Sequence, residues 1–238
     1  MREALAIFSE RIKMTNEQKI NRRSVLAGGL GLALAGFSAQ ETDAAETSSR
    51  RARVEREDVW KYVKMDPSRV AELTYDSYHP WGCTYAVLKG GMKAYVEVCP
   101  EMAETVKAFP IIAMRAGKTG FGAQESLCGT LNGAGMFMGL FVPDYADLCA
   151  MIVKLSEYYQ SSPQPVFVPK DDKHPNFVKT ISPSMMCKES KGFWLAQDPS
   201  EEHKKLRSER CMRLSASMMA KTVELLNDYF LNGINEEE

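Results

Sequence analysis

Residues 126–141 carry no charged side chain over sixteen positions, yet they hold Gly129, Gly133, Gly135 and Gly139. Leu127, Leu131, Ala134, Met138 and Phe141 recur at alternating intervals of four and three, so the stretch reads as a helix with one apolar face. Each glycine inside a helix costs roughly 0.5–1 kcal/mol against alanine. Four of them predict a helix whose backbone is closely approached by another backbone or by a cofactor. A membrane span is the competing explanation, but the run is short and contains Ser126 and Asn132.

The rest of the chain repeats the helical period. Leu206, Cys211, Leu214, Met218, Thr222, Leu225 and Tyr229 mark a long amphipathic helix after the acidic start Asp198-Pro199-Ser200-Glu201-Glu202. Asp144 to Tyr159 reads as a second, and Cys83 to Val98 as a third, weakened at Gly90-Gly91. Pro163, Pro165 and Pro169 enforce an extended connection. No clean alternation of strands appears. The expected fold is mainly α, a compact single-domain helical bundle over residues 57–235.

The amino-terminal residues differ in character. Residues 1–39 hold six basic and three acidic side chains, whereas the whole chain has a net charge of −1. Asn21-Arg22-Arg23-Ser24 precedes an uncharged, Gly- and Ala-rich stretch over 25–37, too short to span a bilayer. Paired arginines before a weakly hydrophobic run resemble a bacterial twin-arginine signal. Residues 1–39 are therefore expected to be the signal, with Met14 as an alternative start, and 40–56 a flexible polar leader. This predicts a periplasmic protein, exported already folded, with no stable membrane span once the signal is removed. The near-neutral charge gives no field for nucleic acid.

Cys83, Cys99, Cys128, Cys149, Cys187 and Cys211 contain no Cys-x-x-Cys, which excludes a local thioredoxin, zinc-knuckle or ferredoxin motif. No Cys-x-x-Cys-His exists either, so covalent c-type haem is not expected. Cys149 and Cys99 read as small apolar core residues. Cys83, Cys128, Cys187 and Cys211 stand in richer settings and are the candidates for function. Six cysteines in an oxidising compartment also permit up to three disulfides, and the sequence does not choose among pairings.

Three segments carry a resemblance. Trp81-Gly82-Cys83-Thr84-Tyr85-Ala86-Val87, Leu127-Cys128-Gly129-Thr130-Leu131-Asn132-Gly133-Ala134 and Ser208-Glu209-Arg210-Cys211-Met212-Arg213-Leu214 resemble the C-GCAxxG-C-C redox-active family, in its branch related to split-Soret cytochromes c. Cys187-Lys188-Glu189-Ser190 and the segment 220–227 add to the likeness, which runs over roughly residues 75–230. It implies a helical, redox-active domain, with haem and an iron–sulfur centre in the split-Soret relatives. The haem motif is missing here, so haem is not carried over. The relatives' Cys-His pair is also missing; Ser184-Met185-Met186 stands about where it would lie, and Cys149 or Cys187 would have to replace that cysteine if it is a ligand.

Two readings follow. In the first, the chain is an exported electron-transfer protein. Cys83, Cys128, Cys187 and Cys211 hold an iron–sulfur cluster against the backbone of Gly129 and Gly133, or a pair such as Cys83 and Cys128 cycles between dithiol and disulfide, and a separate redox partner supplies electrons. In the second, the same four cysteines form two disulfides in a helical binding or structural domain, and the glycines mark helix crossings, including one between copies in a homodimer. No Ser/His/Asp order, His-Glu-x-x-His or phosphate loop marks a catalytic constellation.

Overall fold

The computed structural model describes residues 59–232. The signal, the leader and the alternative start at Met14 lie outside the described residues. Helix α1 (Pro67–Asp76) starts where the Asp66 carboxylate accepts the Ser68 backbone N–H at 2.9 Å, with proline at the first helical position. Helix α2 (Cys83–Val98) leads through a 3₁₀ turn (Pro100–Met102) into the short α3 (Ala103–Ala108). A second 3₁₀ segment (Ile111–Gly117) precedes α4 (Gly129–Gly139) and α5 (Tyr145–Ser161), which is capped by the Asp144 side chain. After the long connection come α6 (Cys187–Leu195), α7 (Glu201–Lys205) and α8 (Arg207–Asn232). The mainly helical expectation holds; among the described residues β-pairing is confined to two isolated bridges, Leu127 with Met186 and Gln164 with Thr180.

α2 runs through the middle, packed by α1, α4 and α8. Val87, Leu88, Met92 and Tyr95 of α2 meet Ala134, Phe137 and Met138 of α4 and Leu214, Met218, Met219 and Val223 of α8 in one apolar core. Each such side chain contributes roughly 1.5–3 kcal/mol on burial. No described helix is long and apolar enough to cross a membrane.

The glycines explain how these helices come so close. A Cβ on Gly90 would collide with the Thr74 backbone of α1, and one on Gly91 would lie 2.6 Å from Met219 of α8 and Phe137 of α4. The expected weakness at Gly90-Gly91 is instead the place where three helices crowd α2, and α2 is unbroken. In α4 the glycines divide. Gly129 and Gly133 face the start of α2, where a Cβ on Gly133 would sit 2.9 Å from the Thr84 carbonyl oxygen. Gly135 and Gly139 face Ile152 and Leu148 of α5. All four therefore meet neighbours within the same chain.

Two boundaries depart from the sequence period. α4 starts at Gly129 rather than Ser126, because residues 126–128 bond to the chain before α6: Cys128 N–H donates to the Met185 carbonyl (2.9 Å) and Cys187 N–H to the Ser126 carbonyl (2.6 Å). Leu127 consequently leaves the expected apolar face and is 40% exposed. The carboxy-terminal helix breaks at Leu206, which caps α7, so the acidic start belongs to α7 and α8 begins at Arg207.

These contacts make glycine positions in one helix respond oppositely. Gly133→Ala should destabilise the fold by roughly 1–3 kcal/mol through overpacking. Gly139→Ala meets only Leu148 at 3.7 Å and should be neutral or gain up to about 0.5–1 kcal/mol of helix propensity. Urea unfolding of both variants measures the difference.

Candidate functional site

Three of the four candidate cysteines stand at the amino-terminal ends of helices. Cys83 opens α2 behind Gly82, whose φ of +78° is a left-handed turn that suits glycine. Cys128 is the N-cap of α4, and Cys187 opens α6. Cys211 lies one turn into α8. Helix amino termini carry a partial positive charge that favours thiolate over thiol; the first N–H groups of α2 and α4 have no helical partner, whereas those of α6 donate to the Ser126 and Glu125 carbonyls. The bond between residues 126–128 and 185–187 brings two of these helix ends side by side.

The four cysteines gather in one region, and two of their sulfurs touch. Cys83 and Cys211 are in hydrogen-bond contact, and Cys128 and Cys187 lie within electrostatic reach of them. Cys83, Cys128 and Cys187 are at most 9% exposed, and Cys211 is half-buried. Cys83, Cys187 and Cys211 line a cleft of about 160 Å³ with Tyr78, Lys118, Lys191 and Arg207 at its walls. Above it, residues 119–123 and Glu125 have left-handed φ values, four of them on non-glycine residues. Such backbone costs on the order of 1–3 kcal/mol per residue unless surrounding contacts impose it. Here the Glu125–Lys191 ion pair and the bond from Lys118 Nζ to the Pro80 carbonyl (3.0 Å) hold the segment down.

Cys83, Cys187 and Cys211 differ in acidity. The Cys83 thiol donates to Cys211 and, with burial opposing and the Arg210 guanidinium assisting, this lowers the Cys211 pKa to about 5. Cys83, holding the proton of that bond in a buried place, is raised. Burial, then the neighbouring Cys128 and Cys211, push Cys187 up to about 11. Tyr78 also contacts both Cys83 and Cys211, and burial raises its phenol. Beneath the cleft, Arg210 reaches Cys211 Sγ through Nη1 at 3.9 Å and Ser190 Oγ through Nη2 at 2.6 Å. The Tyr159 hydroxyl donates to the same Ser190 oxygen at 2.6 Å and lies beside Cys128.

Cys99 and Cys149 stay outside this group. Cys99 is buried where α2 ends, beside Glu101. Cys149, expected on an apolar face, is half-buried in α5 next to the Tyr145 hydroxyl. Gly129 and Gly133 touch the protein on the α2 side: a Cβ on Gly129 would lie 2.7 Å from the Gly117 carbonyl oxygen and 3.4 Å from Cys83 Cβ. Sequence reasoning missed Tyr78 and Tyr159, which carry no motif, and met Ser190 only as the last residue of the Cys187-Lys188-Glu189-Ser190 segment. Arg210 was visible only as the neighbour of Cys211. All six cysteines are free thiols.

Four cysteine thiols are donors of the kind an iron–sulfur cluster takes. Among the described residues, no three His, Cys, Asp or Glu side chains are close enough to share one metal ion. A cluster brings its own bridging sulfides and spans a wider set of thiolates, and four converging thiols are its usual ligands.

In the reduced, iron-free protein the sulfurs should alkylate in a fixed order. A lowered pKa keeps Cys211 thiolate above about pH 5, so its reaction with iodoacetamide should persist at pH 6 and fall as pH drops through 5. Cys187 should react appreciably only as pH approaches 11. Mass-spectrometric mapping of labelled cysteines reads both.

The comparisons with known proteins meet this geometry. The family model described as "Putative redox-active protein (C_GCAxxG_C_C)" matches residues 82–225. Over 225 residues the chain is 29% identical to the split-Soret cytochrome c of Desulfovibrio desulfuricans, covering 87% of this chain and 78% of that protein. The solved structure of split-Soret cytochrome c from that organism, reported with a novel iron centre, is similar with a TM-score of 0.63 and 28% identity, covering 73% of each chain. The matched span contains all four converging cysteines, and this chain belongs to the C_GCAxxG_C_C family of redox-active proteins.

Proposed function

We propose that the chain is an exported electron-transfer protein in which Cys83, Cys128, Cys187 and Cys211 hold an iron–sulfur cluster, without covalent haem. The observation that carries this reading is the gathering of four thiols from four separate segments, three of them at helix amino termini and Cys211 one turn into α8. The similarity to a protein with an iron centre supports it. When bound, such a cluster takes up and releases single electrons. The chain's own residues do the rest. Backbone N–H groups at the starts of α2 and α4 favour anionic sulfur, Tyr78 and Arg210 donate toward Cys211, and the apolar core beneath limits water.

A second reading uses the same residues without iron. The contact between Cys83 and Cys211 favours a reversible disulfide, with two electrons and two protons passing to an acceptor when the bond forms. This pair replaces the Cys83–Cys128 example that the sequence suggested.

Anaerobic purification with a visible spectrum and iron, sulfide and thiol counts separates the readings. The cluster reading expects broad visible absorption with iron and sulfide, lost in Cys128→Ala and retained in Cys149→Ala. A colourless, iron-free protein whose thiol count changes by two on oxidation overturns it in favour of the disulfide.

Export is the other part of the proposal. It rests on Arg22-Arg23 and the uncharged stretch that follows. Replacing both arginines with lysine should leave the precursor in the cytoplasm in a fractionation assay. Mature protein reaching the periplasm at the normal rate would show that the arginine pair is not a twin-arginine signal.

A further inference from the structure

Arg210 is 4% exposed, yet no carboxylate pairs with it among the described residues. Its Nη2 donates to Ser190 Oγ at 2.6 Å and to the Ser190 carbonyl at 3.4 Å, both neutral groups. Its Nη1 points to Cys211 Sγ at 3.9 Å, and its buried Nε has no partner. Arg213, one turn further along α8, makes the contrast plain. It is just as deeply buried, but Asp172 and Glu209 pair with it at 2.5 and 2.7 Å. One guanidinium is neutralised by carboxylates and the other faces sulfur.

A buried cation is retained only where an anion compensates it. The groups that face Arg210 electrostatically are Cys211, Tyr159 and Cys128, so the sulfurs of the centre are the anion it can answer to. Ser190 accepts from both Arg210 and Tyr159, so it fixes the direction of the guanidinium without cancelling its charge. We propose that Arg210 is the permanent countercharge of the cysteine centre and sets its reduction potential; this rests on the cluster reading above. Reduction adds one negative charge to a centre that is already anionic. A fixed positive charge in a water-poor place favours that reduced form. In the step itself one electron passes from a reduced mediator dye to the centre. The dye loses that electron, no covalent bond of the protein forms or breaks, and the guanidinium keeps its protons.

The test is a mediator-buffered redox titration of the anaerobically purified protein, with iron and sulfide counted on the same samples. Arg210→Gln should shift the equilibrium at least tenfold against the reduced form, about 59 mV downward for a one-electron couple. Arg210→Lys, which keeps the charge, should stay within about threefold of the wild type. Loss of iron in Arg210→Gln with retention in Arg210→Lys also supports the proposal. Arg210→Gln with full iron content and an unchanged potential overturns it, as does equal iron loss in both variants with helical content intact, which would make the residue a packing element. Wild-type protein that holds no iron or sulfide overturns the cluster reading, and the role of Arg210 with it.

Discussion

The arrangement turns on one electrostatic fact: positive helix ends and a buried guanidinium surround four sulfurs. The starts of α2 and α4 offer N–H groups without a helical partner, the first N–H groups of α6 are taken by the Ser126 and Glu125 carbonyls, and Arg210 adds a full charge that no carboxylate cancels. Thiols alone would not need such surroundings. On the proposed cluster reading the place carries negative charge on sulfur, and the packing elsewhere serves to bring those helix ends within reach of one another.

The glycines are the means. Gly133 admits the Thr84 carbonyl of α2, Gly129 admits the Gly117 carbonyl, and Gly90 admits α1. Each close approach surrenders helix propensity and gains backbone proximity that any side chain would prevent. The Thr84 hydroxyl completes the junction by donating to the Gly129 carbonyl at 2.9 Å, one residue from both Cys83 and Cys128. A small shift at this crossing would therefore move two sulfurs at once, which ties helix packing directly to the geometry of the centre.

How much of this was legible in the sequence depends on range. Helices with clear apolar periods were legible: α2 spans Cys83–Val98 as read, and α5 starts at the Asp144 cap. The glycines announced close contact but could not name the partner, because a period of three and four residues says nothing about which helix answers. Leu127 fits the period perfectly and leaves it anyway, since two backbone bonds to residues 185–187 outweigh one apolar burial. The four cysteines were singled out by their local settings and then by the resemblance, not by spacing, because gaps of many residues carry no geometric information. Tyr159 was invisible and the role of Ser190 was not readable from its segment, since both are made special only by what folds against them.

The surroundings also bear on which redox chemistry the site can support. A lone disulfide needs only Cys83 and Cys211, leaving Cys128 and Cys187 at their helix ends without a task. A four-thiolate cluster uses all of them and supplies the anion that Arg210 faces. The most direct test of that claim is iron X-ray absorption on protein purified without oxygen. The account predicts iron surrounded by sulfur with an iron–iron contribution beyond it; an iron shell made of oxygen and nitrogen, or no iron edge at all, would contradict it.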